Sequence, residues 1–159
     1  MPSLSTFPYP LPVCPPIAVF WPDSTEDIHD IGRLGVKTMA APMSIWRSVE
    51  PRDWVPEYPV IVFSSLSDGL ISESDRDYIW ETLGAPVFEY LVADGEIVAK
   101  ECEAHDGLHF EQLPFECSPE VTEEPCPCGR PGPRLLRLEA IIEENANVRM
   151  WRNWQTRQI

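Results

Sequence analysis

Residues 99–135, AKECEAHDGLHFEQLPFECSPEVTEEPCPCGRPGPRL, hold four of the five cysteines and two of the three histidines of the 159-residue chain. Thiolate and imidazole side chains gathered in this way can hold a soft or borderline cation. A structural zinc site takes four such ligands in a tetrahedron, commonly from two short turns. Cys126 and Cys128 are separated by one residue and followed by Gly129, which lets the backbone turn close to an ion. Cys102 closes an apolar run, and His109 follows seven residues later, beyond the Asp106-Gly107 turn. Together they form a Cys3His set of Cys102, His109, Cys126 and Cys128. Thiolate-rich tetrahedral chemistry favours zinc, and a closed four-ligand site predicts a structural rather than hydrolytic metal. Cys117 is left over as an ordinary thiol or a substitute ligand, and His105 is a second imidazole within reach. Unpaired reduced cysteines and a disulfide are the alternatives to a metal.

Composition narrows the setting. A 43% hydrophobic content supports a packed domain, and the formal net charge of −14 lacks the basic footprint that nucleic acid or an anionic membrane requires. No apolar run reaches membrane-spanning length. The N-terminal MPSLSTFPYPLPVCPPIAVFWP has no basic start before an apolar core, so no secretory signal is expected. A cytoplasmic location follows as the expectation, with cysteines kept reduced and disposed to metals.

The elements that must position the cluster can be read along the chain. Residues 1–16, with prolines at 2, 8, 10, 12, 15 and 16, form an extended arm. Apolar runs at 17–21, 36–41, 58–65, 86–92 and 96–102 predict five strands. Between them lie a helix opening at Ser24 or Thr25 and stopping at Gly35, a helix begun by Pro42, and a third over 72–84. The third is the clearest, with Ser72 as N-cap, Asp75 at the capping-box position and Gly84 as stop. Asp94-Gly95 turns one strand into the next. The expected fold class is α/β: a layered sheet of about five strands with flanking helices, parallel at first and more antiparallel at its end, plus a small zinc-knuckle β section. The expected domains are an arm (1–16), an α/β subdomain (17–98), a zinc-binding β section (99–147) and a tail (148–159). PRLLRLEAIIEEN reads as either strand or helix.

GAPVFEYLVADGEIVAKECEAHDGLHF followed by CPCGRPGPRL resembles the middle of the phenylacetate–CoA ligase-like, adenylate-forming enzymes. That group carries a Glu-Cys…Gly-Leu-His segment and then a Cys-x-Cys-Gly-Arg segment. STEDIHDIGRLGVKTMAAPMSIWRSV and PVIVFSSLSDGLISESDRDYIWETLGAPVFEY are similar to the preceding stretch, so the resemblance spans roughly residues 15–138. It implies zinc on the same two Cys/His segments, with His109 rather than His105 as ligand. Tyr90 through Asp94 stands where the family has its adenine-binding Tyr-Gly-Leu-Thr-Glu, so Tyr90 and Asp94 are the nucleotide-binding candidates. Ala93 replaces the threonine, and Asp94 is one methylene shorter than the glutamate.

Other parts of that machinery have no counterpart. Ser64–Gly69 is the only Ser/Gly cluster where the family has a phosphate loop. A distal Gly-Arg-Asp ribose contact and a lid lysine are also missing, and no catalytic residue is assigned. The resemblance therefore implies a piece of an adenylating enzyme that is inactive alone and serves as an accessory or binding module with structural zinc. The alternatives are a subunit of a split acyl- or aryl-CoA ligase, using ATP with a complementary chain, and a truncated product without function. A homo-oligomer is a further expected partner, through an exposed sheet edge; nucleic acid and membrane are not.

Two further readings complete the sequence. Glu89, Glu101 and Glu103 near His105 could serve acid/base chemistry, but alternating strand positions predict that they face solvent. VRMWRNWQTRQI (148–159) carries three arginines, two tryptophans and no acid. It suits a basic-aromatic segment that binds RNA or an acidic face of its own domain. One back-translation of it also resembles the 5′ half of a bacterial leucine tRNA gene, which predicts a tail translated from that gene and not docked on the domain.

Overall fold

A computed structural model describes residues 7–22, 31–114 and 119–138. The helix opening at Ser24 or Thr25, Cys117 and the 148–159 tail lie outside these residues. The described strands are β1 (Ile17–Val19), β2 (Thr38–Pro42), β3 (Val60–Ser65), β4 (Val87–Ala93), β5 (Glu96–Glu101), β6 (Leu108–Phe110), β7 (Pro119–Thr122) and β8 (Arg134–Leu138). They form one mixed sheet in the order β1-β2-β3-β4-β5-β6-β8-β7. Pairing is parallel from β1 to β4 and antiparallel from β4 onward.

The expectation of about five strands is thus corrected to eight. The three additional strands, β6 to β8, are three to five residues long and mix polar with apolar residues among glycines and prolines, without the continuous apolar run that marks the equally short β1. The cysteine-rich region is also not a separate knuckle section, because its strands extend the same sheet.

Helix is sparse among the described residues. The α-helices there are α1 (Met43–Trp46) and α2 (Glu73–Leu83). The helix expected from Pro42 ends after one turn, where the Ser48 hydroxyl donates to the Ile45 carbonyl (2.7 Å) and competes with the backbone ladder. The end of the helix expected up to Gly35 is a single 3-10 turn, Ile31–Arg33. α2 follows its sequence signals closely. Ser72 Oγ accepts from the Asp75 N–H, the Asp75 carboxylate accepts from the Ser72 N–H, and Gly84 closes the helix at φ 68°.

Alternation along the strands divides the core by face. Val60, Val62 and Val87 pack with Ile79 and Leu83 of α2 and with Trp46 of α1. Trp46 also donates from Nε1 to the Ile61 carbonyl (3.1 Å), so α1 is pinned to the sheet. On the opposite face lie Ile61, Phe63, Phe88, Tyr90 and Val92. There, among the described residues, the cover is the proline-rich arm. Phe7 stacks on Tyr90 with ring centroids 5.8 Å apart, and Trp21 stacks on Phe63 at 5.1 Å. The arm is anchored by Tyr9, whose hydroxyl donates to Pro59 O (2.7 Å), and by Tyr90, whose hydroxyl donates to Pro8 O (2.6 Å).

The antiparallel half has its own small core of Leu91, Ala99, Leu108, Leu135 and Leu138. Asp94 and Gly95 both take positive φ (52° and 76°) in the two-residue turn between β4 and β5. That geometry matches the twist of an antiparallel hairpin.

Candidate metal centre

The four residues grouped in the sequence are brought together. Cys102, His109, Cys126 and Cys128 each present a ligand atom, all within 4.8 Å of one another. Cys102 Sγ lies 3.6 Å from Cys126 Sγ, and Cys128 Sγ lies 3.4 Å from His109 Nε2. Four ligands around a tetrahedral zinc, with Zn–S of about 2.3 Å, stand roughly 3.5–3.8 Å from each other. The spacing therefore fits a cation at the centre, and 3.6 Å is far beyond a disulfide bond. All described cysteines are free. His105, the competing imidazole, turns away: its Nδ1 lies 2.9 Å from Glu101 Oε1 and its ring packs on Phe88.

Three separate pieces of chain supply the ligands. Cys102 follows β5, His109 is the middle residue of β6, and Cys126 and Cys128 lie between β7 and β8. Two similar turns shape the site. The His105 N–H donates to Cys102 O and the Gly129 N–H to Cys126 O, both at 3.0 Å. The fourth residue of each turn has positive φ, 52° at His105 and 85° at Gly129. Glycine takes that conformation without strain, whereas histidine does not. The Arg130 N–H points to Cys128 Sγ at 3.4 Å. The N–H groups of Ala104 and Cys128 serve Cys102 and Cys126 in the same way. Each sulfur thus meets a backbone donor two residues downstream, an arrangement suited to thiolate.

Arg134 holds the two ligand-bearing loops in place. Its side chain is 3% exposed. Its guanidinium donates to the Asp106 carbonyl, just before His109, and to the Glu124 carbonyl (3.1 Å), just before Cys126. The Asp106 carboxylate lies 3.1 Å from the same group. Burial, with Arg130 and Arg134 adding repulsion, holds the His109 imidazole below its ordinary range, so it is neutral and ready to donate a lone pair. Burial pushes the Cys102 thiol up to about 12. A bound cation overrides that penalty, because a coordinating thiol is deprotonated outright.

The expectation that the nearby carboxylates face solvent is overturned for two of the three. Glu89 and Glu101 are 2% and 5% exposed, while Glu103 is on the surface. Both buried groups point to the helix-covered face, where Arg76 of α2 reaches down between them. Arg76 Nη2 lies 2.6 Å from Glu101 Oε2 and 3.3 Å from Glu89 Oε1. Glu89 also accepts from the Ile71 N–H (2.8 Å). One guanidinium cannot fully compensate two buried carboxylates. Burial pushes Glu89 up to about 7, against the opposing pull of Ile71, Ser64 and Arg76. Sequence reading missed this seam because a strand covered on both faces does not reveal which polar residue has a partner overhead.

Of the nucleotide-binding candidates, Tyr90 is 1% exposed beneath the arm and Asp94 is exposed at the hairpin tip. Burial raises the Tyr90 phenol well above its ordinary value. Ser65, Ser67 and Asp68 of the Ser/Gly cluster bond to one another.

Among the described residues, no helix is long and apolar enough to cross a membrane. No protein-family model matches the chain, and no curated protein matches it significantly.

Proposed function

We propose that this chain is a small zinc-binding protein in which Cys102, His109, Cys126 and Cys128 hold the ion as a structural clamp. The convergence of four ligand atoms from three separate segments within 4.8 Å of one another, two of the pairs at 3.6 and 3.4 Å, carries this reading. Four protein ligands leave no open position for a substrate or a water, so the metal organises structure and does not activate a nucleophile. Three thiolates and one neutral imidazole around a dication leave one negative charge, which Arg134 and Arg130 lie close enough to offset.

The clamp's work follows from its position. It fastens β6 and the loop before β8, in a half of the sheet whose apolar core is small. Metal binding of this kind contributes directly to folding free energy. The protein is further proposed to derive from the phenylacetate–CoA ligase-like group and to act as a non-catalytic accessory or binding module. The Glu-Cys…Gly-Leu-His and Cys-x-Cys-Gly-Arg segments support the descent. Tyr90 sealed by Phe7 and Pro8 supports the non-catalytic role.

Elemental analysis of the untagged chain tests the reading. About one zinc per chain is expected, lost in Cys126→Ser and Cys128→Ser together with protection of the antiparallel strands. A folded chain purified from zinc-replete medium without any metal overturns it.

A further inference from the structure

The four ligands are not equally sheltered. Cys102 and Cys126 are buried at 1% and 5% exposure, whereas Cys128 is half-buried at the rim. A small oxidant arriving from solvent therefore meets one sulfur first. That sulfur has the Cys102 sulfur within 4.8 Å behind it. We propose that Cys128 is a peroxide-reactive ligand and that its oxidation, resolved by Cys102, expels the metal. This rests on the zinc reading above.

The chemistry balances with a hydroperoxide as oxidant. The Cys128 thiolate attacks one oxygen of hydrogen peroxide; the S–O bond forms, the O–O bond breaks and hydroxide leaves. The sulfur is oxidised by two electrons and the peroxide is reduced. The Cys102 thiolate then attacks the Cys128 sulfur; the S–S bond forms, the S–O bond breaks and a second hydroxide leaves. Cys126 and His109 remain as the only ligands, and a two-ligand site does not retain the ion.

Cys102 is the resolving partner rather than Cys126 for a covalent reason. Only Pro127 lies between Cys126 and Cys128, and its ring fixes φ in what would be a very small disulfide-closed loop. Cys102 comes from the end of β5, so its bond to Cys128 crosses between separate segments. The product links the β5 end to the β7–β8 loop while removing the tie to His109 of β6. Peroxide thus converts a four-way clamp into a two-way one.

The test uses the full chain loaded with zinc and treated with one equivalent of hydrogen peroxide, with a chromophoric chelator reporting released metal. Release should accompany a Cys102–Cys128 disulfide in peptide mass maps, and dithiothreitol with added zinc should restore the site. Cys128→His keeps four ligands but removes the rim thiolate, so release should slow about tenfold or more. Cys126→His keeps Cys128, and its release should stay fast. Equal release from the two variants overturns the proposal, as does a disulfide within Cys126–Cys128 or between Cys102 and Cys126 in the unsubstituted chain. The mass map decides the matter even if a histidine variant does not fold. A chain that takes up no zinc overturns the zinc reading itself; one that holds zinc through peroxide treatment overturns only this inference.

Discussion

Cys102 and Cys126 are 24 residues apart in sequence, yet their sulfurs lie 3.6 Å from each other. That approach joins the end of β5 to the loop leading into β8. The parallel half has large apolar layers on both faces, whereas the antiparallel half has five buried apolar side chains.

Removing the metal should therefore loosen the molecule unevenly. With a strong chelator, amides of β6 and β8 are expected to lose hydrogen-exchange protection while those of β2 and β3 keep it. Free zinc at a hundred times its dissociation constant adds about 2.7 kcal/mol of stability through binding to the folded state. Chelator titration followed by exchange mass spectrometry gives both quantities.

Glu89 should make stability depend on pH. Its folded value of about 7 stands above the ordinary 4.5. Below pH 4.5 both states are protonated and the group contributes nothing. Between 4.5 and 7 the unfolded chain ionises first, so stability falls as pH rises, and the full penalty is present above 7. Glu89→Gln removes the penalty and keeps an acceptor for Ile71. It should stabilise the protein by about 3 kcal/mol at pH 8 and by little at pH 4. Urea unfolding at the two pH values measures the difference.

Gly107 leads into the ligand strand. Its φ is 84°, and an added Cβ would stand 3.1 Å from the Leu135 carbonyl oxygen and 3.2 Å from the Arg134 Cβ. Gly107→Ala should cost about 2 kcal/mol from backbone strain alone. It should also weaken zinc affinity, because the Asp106 carbonyl that Arg134 grips moves with it. Competition against a chelator of known affinity measures this loss.

The arm can be tested without touching the metal. Tyr90→Phe removes the hydrogen bond to Pro8 and should cost about 1 kcal/mol. Phe7→Ala removes a partly buried ring and should cost about 2 kcal/mol. Both variants should bind zinc as the parent does, with the change seen in near-ultraviolet circular dichroism.

Much of this was legible in the sequence. The first five strands, β1 to β5, stand close to their apolar runs, and for the parallel ones this is because a strand covered on both faces needs a continuous hydrophobic stretch. The α2 signals were strong because caps are local chemistry. The grouping of Cys102, His109, Cys126 and Cys128 was legible in the spacing of the cysteines together with the resemblance that favoured His109 over His105. β6 to β8 were not, since their stability comes from Arg134, the ligand loops and each other rather than from periodicity. Nor was the burial of Glu89 and Glu101, which depends on Arg76 arriving from a helix above. The arm was read as extended, but its docking depends on an aromatic face assembled from β3, β4 and Trp21.

The strand order has a consequence for how the protein is made. β8 inserts between β6 and β7, so β7 has no neighbour until β8 has left the ribosome. All four ligands precede Arg134 in the chain. A nascent polypeptide therefore carries the whole set of potential ligands while the sheet is still incomplete. Arg134 then arrives with β8 and bonds to the Asp106 and Glu124 carbonyls on the two loops that carry that set.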